Sequence, residues 1–411
     1  PNPGQAAAIA PAPRPRPPRA APPPPPPPKA GTVSRRSSKP PKSLVPAAPM
    51  RPPRRRNPQD EAARVDWLQR VLTHAVAGRA SDVHLHAGAP VQLRIRGQLL
   101  PMSRDILTPE NAEVTLRASL TDEQLDVLDE TGEVDFAYEL AQVGRFRASI
   151  YEQHAGLCGV YHHIAPEPPS MEELGLPTSL ARLTSHRTGL LLVAGPSGSG
   201  KTSTMAALIA HMNEERSDHI LSLEDPIEFV HESHRCLVNQ REVNRHTHSF
   251  SAALRSALRE DPDVICIGEL RDQLTISLAL SAAETGHLVI ATMHTLGAIR
   301  TINRLIGAFP SGQQGQIRAM LSESLRAVIS QQLLPSADGQ RMLLAYELLI
   351  ITQAAGNLIR ENRTFQLASV MQTGRQQGMR SIDDSLAELL RAGRITKDVA
   401  REFAETPSNF K

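Results

Sequence analysis

The sequence predicts an α/β protein built on a parallel sheet, with a smaller α+β unit ahead of it, and three observations carry that prediction. The apolar run Leu190 to Ala194 leads directly into Gly195-Pro196-Ser197-Gly198-Ser199-Gly200-Lys201-Thr202, a complete G-x-x-x-x-G-K-[ST] loop. Further near-continuous apolar runs, Ile220 to Leu223, Val264 to Ile267 and Leu288 to Thr292, alternate with helical stretches, as strands covered on both faces do. Between residues 61 and 165 the pattern is instead one of short alternating strands and two or three helices.

Taken in order, residues 1–60 hold 21 of the 34 prolines, 12 Lys/Arg and one acidic residue. Such a segment cannot assemble an apolar core, so a disordered Pro/Arg-rich arm is expected, with polyproline II character around Pro22 to Pro28. Subtracting its +11 from the chain's +2 leaves the remaining residues at −9. The arm lacks aromatic residues to stack on bases, and a solvated tether is expected rather than a nucleic-acid partner. A helix is expected over 61–76, strands at 83–86, 91–97, 134–138, 145–151 and 158–163, and helices near 109–120 and 122–128. Pro166-Glu167-Pro168-Pro169 marks a boundary, and 166–179 reads as a hinge linker ahead of a second domain over 180–411. After Pro310 the pattern is mostly helical, interrupted by a strand-like Met342 to Ile351. No run of about 20 apolar residues occurs, and residues 1–30 lack the apolar core of a secretory signal, so a cytosolic location is expected. Cys158, Cys236 and Cys266 are isolated and read as reduced core residues.

The candidate chemistry gathers at strand ends. Glycines let the loop curl so that successive N–H groups face a phosphate, Lys201 adds a point charge, the Thr202 hydroxyl suits Mg²⁺, and Ser203 adjoins it. A glycine turn without a ligand is the alternative. Hydrolysis of ATP needs a metal held by a hydroxyl and a carboxylate, a group to orient water, and positive charge at the γ-phosphoryl. Glu269 ends an apolar strand and reads as support for Mg²⁺ or its waters. Glu224, placed likewise one strand earlier, reads as the general base, with Asp225 and Glu228 as substitutes. His294 is placed to sense the γ-phosphate, and His287 less directly. Each of these acids and histidines also has an ordinary structural role open to it.

The loop at 195–202, the acidic box Leu223-Glu-Asp-Pro-Ile-Glu-Phe-Val-His231, the segment 258–272 and the histidine box Thr285-Gly-His-Leu-Val-Ile-Ala-Thr-Met-His-Thr295 together resemble the secretion ATPases of type II secretion and type IV pili. Segments at 80–86, 318–335, 357–361 and 370–380 resemble the PilT-like retraction branch, and the four-cysteine insertion of the assembly branch is absent from the sequence. The resemblance implies a PAS-like N-terminal domain and a RecA-like ATPase domain, a homo-hexamer using ATP and Mg²⁺, and pilus retraction underlying twitching motility. It implies further that Arg145 and Arg147 reach a nucleotide, that Asp225, Glu228, His287 and Arg318 couple hydrolysis to movement, and that the partners are an inner-membrane pilus platform protein and a related pilus ATPase. Its implied location is cytoplasmic, peripheral at the inner-membrane base of the pilus machine. His162 and Ala155 stand where the resemblance implies further arginines. A nucleotide-binding accessory ring subunit and a DNA-translocating ATPase of the same fold are the alternatives.

Overall fold

The computed structural model of the chain describes residues 58–95, 97–164, 167–177 and 179–411. The arm expected over 1–60 lies outside the described residues, except that Pro58 to Asp60 already belong to the first helix, α1 (Pro58–Ala77).

Strands β1 (Asp82–His86), β2 (Pro90–Ile95) and β3 (Gln98–Ile106) precede helices α2 (Pro109–Arg117) and α3 (Asp122–Thr131), and β4 (Glu133–Leu140), β5 (Gly144–Gln153) and β6 (Gly156–Ile164) follow. They form a six-stranded sheet ordered β3-β2-β1-β6-β5-β4, every neighbouring pair antiparallel. Alternation decides its two faces. Val83, Leu85, Phe146, Ala148 and Ile150 point into a core closed by Leu68 and Leu72 of α1, Leu116 of α2 and Leu128 of α3. Asp82, His84 and His86 lie on the other face of β1 and are only partly buried. The strand β3 was not among those expected.

The second body opens with α4 (Ser179–Thr184) and continues β7 (Gly189–Ala194), α5 (Lys201–Glu215), β8 (His219–Glu224), β9 (Leu237–Glu242), α6 (Phe250–Ala257), β10 (Val264–Ile267), α7 (Gln273–Glu284), β11 (Leu288–Met293), α8 (Ala298–Gly307), α9 (Ser311–Ser324), β12 (Leu325–Pro335) and β13 (Met342–Ile350). Helices α10 (Gln353–Arg360), α11 (Leu367–Thr373), α12 (Ile382–Arg391) and α13 (Lys397–Phe403) complete it. Its sheet runs β13-β12-β7-β11-β10-β8-β9, parallel except for β13. Residues of β7 and β11 are buried throughout, as helices on both faces require. Leu190, Leu192 and Ala194 pack toward α6–α9, whereas Leu191 and Val193 pack toward α4 and α5.

Two strands correct the expected pattern. β9 lies in a stretch expected to be helical, and β12 in a part expected to be helical up to Met342. Both carry glutamines that interrupt the apolar signal, and in each strand one of them hydrogen-bonds to a side chain of another element. Gln331 of β12 is fully buried and donates to Thr204 Oγ1 of α5 at 2.8 Å. Residues 166 and 178 of the stretch expected as a linker, 166–179, lie outside the described residues. Ser170 N donates to Glu173 Oε2 at 2.8 Å, and Leu176 is buried in the core of the second body, so the latter part of this stretch is packed. Among the described residues no helix is long and apolar enough to cross a membrane.

Candidate functional site

Because β7, β8, β10 and β11 are parallel and adjacent, their carboxyl ends open on one edge of the sheet, where ligands settle in folds of this kind. The phosphate loop leaves β7 there. Gly200 takes φ 84° as the residue capping α5, a left-handed conformation that favours glycine. A Cβ on Gly195 would lie 2.6 Å from the Gln331 carbonyl oxygen, so β12 excludes any side chain at the loop's entrance. Lys201, 8% exposed, donates from Nζ to the carbonyls of Gly195 at 3.1 Å and Pro196 at 2.9 Å. Burial pushes its pKa down, against the opposing pull of Glu269 and Glu228.

The acids follow the same logic. Glu224, the last residue of β8, is 6% exposed, and its Oε1 accepts from Ser222 Oγ at 2.7 Å and Gln240 Nε2 at 2.9 Å. Burial raises its carboxyl pKa, and these two hydrogen bonds only partly offset it. Glu269, just beyond β10, accepts from Arg271 Nε at 2.6 Å and faces His294 Nε2 at 3.3 Å. Thr292 of β11 donates to the Gly268 carbonyl, tying the histidine box to the Glu269 turn.

One cavity of about 640 Å³ is lined by Ser197, Gly198, Gly200, Lys201, Thr202 and Ser203 of the loop, by Glu224, Asp225, Glu228 and Glu269, and by His294. Gly195, Pro196 and Ser199 stand behind it, shaping the loop: Gly195 N donates to Met293 O at 3.2 Å and Ser199 N to Pro196 O at 3.3 Å. Arg147 enters the cavity from the N-terminal sheet, with its guanidinium 3.9 Å from Glu228. Ile164 packs on Ala206 and Phe229 beside that crossing.

Three expected site residues lie elsewhere. His287 precedes β11 and therefore sits at the sheet's amino edge, about 20 Å of strand from His294. Its Nδ1 lies 3.0 Å from Ala282 O, which makes it a structural partner of α7 and corrects the expected link to the γ-phosphate. Arg145 does not line the cavity, and its Nε is buried without a hydrogen-bond partner. Arg318, in α9, likewise stands away from it.

Two residues that sequence reasoning missed hold the acidic box in place. Besides contacting Glu224, Gln240 donates to Phe229 O at 2.8 Å and accepts from His231 N at 2.8 Å. Glu242 accepts from Ile227 N at 3.1 Å. Their spacing of two along β9 was the available signal, hidden because the strand itself was not foreseen.

The donor set suits Mg²⁺. A hydroxyl and a carboxylate, Thr202 and Glu269, line the same cavity, and Mg²⁺ is typically held by one or two such groups together with substrate phosphates and water rather than by an all-protein cage. Among the described residues no group of three or more His, Cys, Asp or Glu is arranged to hold a metal alone.

Comparison with known proteins gives the same picture. A family model described as type II/IV secretion system protein matches residues 57–377. The chain is 45% identical over 343 residues to the type IV pilus retraction ATPase PilT of Pseudomonas aeruginosa, an alignment covering 84% of this chain and 99% of that protein. It is 45% identical over 318 residues to a twitching motility protein of Neisseria gonorrhoeae, covering 77% and 85%. The crystal structure of the pilus retraction motor PilT with bound ADP superposes with a TM-score of 0.76 at 42% identity, covering 83% of this chain and 98% of that one. The second body accordingly has the RecA-like ATPase fold, and the chain belongs to the family of type II/IV secretion system proteins.

Proposed function

We propose that this chain is an ATP-hydrolysing motor that drives retraction of a type IV pilus, working as a homo-hexamer at the membrane base of the machine. One observation carries the reading: Lys201, Thr202, Glu224 and Glu269 line a single cavity that Arg147 of the other body also reaches. The likeness to retraction ATPases supports the direction of movement.

In this reading the loop N–H groups and Lys201 bind the β- and γ-phosphates. Thr202 and Glu269 would hold Mg²⁺, which when bound would neutralise charge developing on the transferred phosphoryl. Glu224 takes a proton from the attacking water. His294, beside Glu269, lies where loss of the γ-phosphate changes its surroundings. Arg147 pulls the N-terminal body onto the nucleotide, so hydrolysis and release free that body to move about the joint ahead of Ser170. Asp225 and Glu228, on the loop between Glu224 and Phe229, couple the base to the interface that Arg147 contacts. Arg318 and its helix are available to pass movement to a membrane-embedded platform protein and to a related pilus ATPase.

The test uses the full chain. ATPase rate per protomer, recorded against concentration together with sedimentation, is expected to rise as hexamers form. Expression in a piliated, retraction-deficient bacterium is expected to restore twitching. A protein without hydrolysis at any assembly state, or an active one that never restores twitching, defeats the reading.

Gln240 gives a sharper local prediction. Gln240→Leu removes a hydrogen bond that favours ionised Glu224, so the carboxyl pKa rises and the acid limb of the kcat profile moves to higher pH. The loop at Phe229 and His231 also loosens, and kcat at neutral pH falls by about tenfold, the scale of one lost hydrogen bond to a charged group. A pH–rate profile checks both statements.

A further inference from the structure

The turn that leaves β11 carries His294 and runs on into α8 at Ala298. His294 faces Glu269 Oε2 at 3.3 Å, yet its side chain is 43% exposed, so the backbone beneath it, more than packing around it, sets where the imidazole stands. On the inner side Thr292 holds that backbone through the Gly268 carbonyl. On the outer side the support is not local. A helix begins with N–H groups that have no partner within it, and a Ser, Thr, Asp or Asn just ahead ordinarily supplies the acceptor. Here that residue is Gly297, at φ 90°, which has no side chain to offer.

The acceptors come instead from two strands beyond β7. Gly297 N donates to Ser330 Oγ of β12 at 2.8 Å, and Ala298 N donates to Glu347 Oε1 of β13 at 2.7 Å. Register puts these acceptors together, because Ser330 and Glu347 are directly paired across β12 and β13, and both are buried. The turn is also tied to itself. Thr301 Oγ1 donates to Gly297 O at 2.8 Å and lies 2.7 Å from Thr295 Oγ1. Residues 295, 297 and 298 are thereby fixed, and His294 is the next residue back.

A carboxylate suits this place, since it meets the positive end of α8 and its bond to a backbone N–H is charge-assisted. A separate cavity of about 260 Å³ opens beside it, lined by Gly297, Arg300, Ser330 and Glu347 together with Glu402 and Glu405 of the C-terminal segment. Burial opposes ionisation of Glu347, as do Glu405 and Asp383, whereas the Ala298 N–H and Arg300 favour it. Glu347 does not line the nucleotide cavity, so its effect on that site passes through the Ala298 N–H.

We propose that Glu347, with Ser330 beside it, is a positioning residue for ATP hydrolysis: it holds the turn after β11 so that His294 stays against Glu269. The proposal rests on the nucleotide reading of the larger cavity. It makes Glu347 act on turnover rather than on nucleotide affinity, since Lys201 and the phosphate loop are carried by β7 and α5 and keep their own supports.

The test measures kcat and KM for ATP of the full chain, well below its unfolding temperature and at concentrations where the rate per protomer has levelled off. Glu347→Leu is expected to lower kcat by about tenfold, the scale of one lost hydrogen bond to a charged group, with KM changed by less than about twofold. Glu347→Gln keeps an oxygen able to accept from Ala298 N and is expected to retain about half or more of the wild-type kcat. Ser330→Ala is expected to lower kcat by less than Glu347→Leu. A second measurement separates positioning from mere support of the fold. In single-turnover hydrolysis by His294→Ala, adding Glu347→Leu or Ser330→Ala is expected to cost nothing further, because the residue they position is gone. An undiminished kcat in both variants, a loss carried by KM, or the same fold-loss with and without His294 overturns the proposal and leaves the nucleotide site standing. Should Glu347→Leu fail to fold, Ser330→Ala carries the same comparison. A wild-type chain that hydrolyses no ATP removes the motor reading instead.

Discussion

Lys201→Ala yields a folded protein whose ATP hydrolysis falls on the order of 10³-fold, the scale on which a cation at a transferring phosphoryl acts. The argument starts from position. Lys201 opens α5 directly after the loop, and its ammonium is held among the Gly195 and Pro196 carbonyls rather than in solvent. That placement costs hydration, which is why burial lowers its pKa, and the neighbouring carboxylates only partly compensate. An ammonium held this way is positioned for phosphate oxygens and relieved of part of its desolvation cost when they arrive. Alanine removes the charge but suits the first turn of a helix, so the melting temperature should change by no more than a few degrees. Phosphate release and nucleotide titration measure the loss, and thermal unfolding is the control. Wild-type twitching restored by Lys201→Ala contradicts the motor reading outright.

Much of this site is visible in the sequence for a reason particular to parallel sheets. A strand covered on both faces is nearly continuously apolar, so the first charged residue after Ile220 to Leu223 and Val264 to Ile267 marks a carboxyl edge, and those edges are adjacent in space to the one where the glycine loop leaves Ala194. Glu224 and Glu269 are found by that rule, and Lys201 by the glycine loop that follows Ala194. The rule also shows why His287 and His294 differ: one precedes its strand and the other follows it, so β11 separates them by its full length.

What was hidden depends on pairing. Gln240 and Gln331 sit in strands that composition does not mark, because each hydrogen-bonds to a residue of another element, Glu224 and Thr204. Arg145 and Arg147 are equivalent in pattern, both on one face of β5, yet only Arg147 stands where the two bodies meet. The Asp82–His162 pair joins residues 80 apart in sequence, and no local periodicity reports such a contact.

Glu224→Gln should separate binding from chemistry. The substitution keeps the side-chain shape and an oxygen able to accept from Ser222 and Gln240, so the acidic loop stays in place and ATP binding changes by less than about threefold. What disappears is the ability to take a proton, and kcat falls by about 10²- to 10⁴-fold, the range of a positioned general base. The pH dependence distinguishes this role from a merely structural one. Burial raises the wild-type carboxyl pKa, and a base works only when ionised, so wild-type turnover declines as pH falls through that raised value. The variant has no such group and its residual rate is flat over the same interval. Single-turnover hydrolysis with saturating ATP reads both effects free of product release. If Glu224→Gln turns over normally while Glu228→Gln does not, the proton goes to Glu228, which lines the same cavity and lies closer to Arg147, and the coupling between hydrolysis and the N-terminal body becomes direct rather than relayed through the loop.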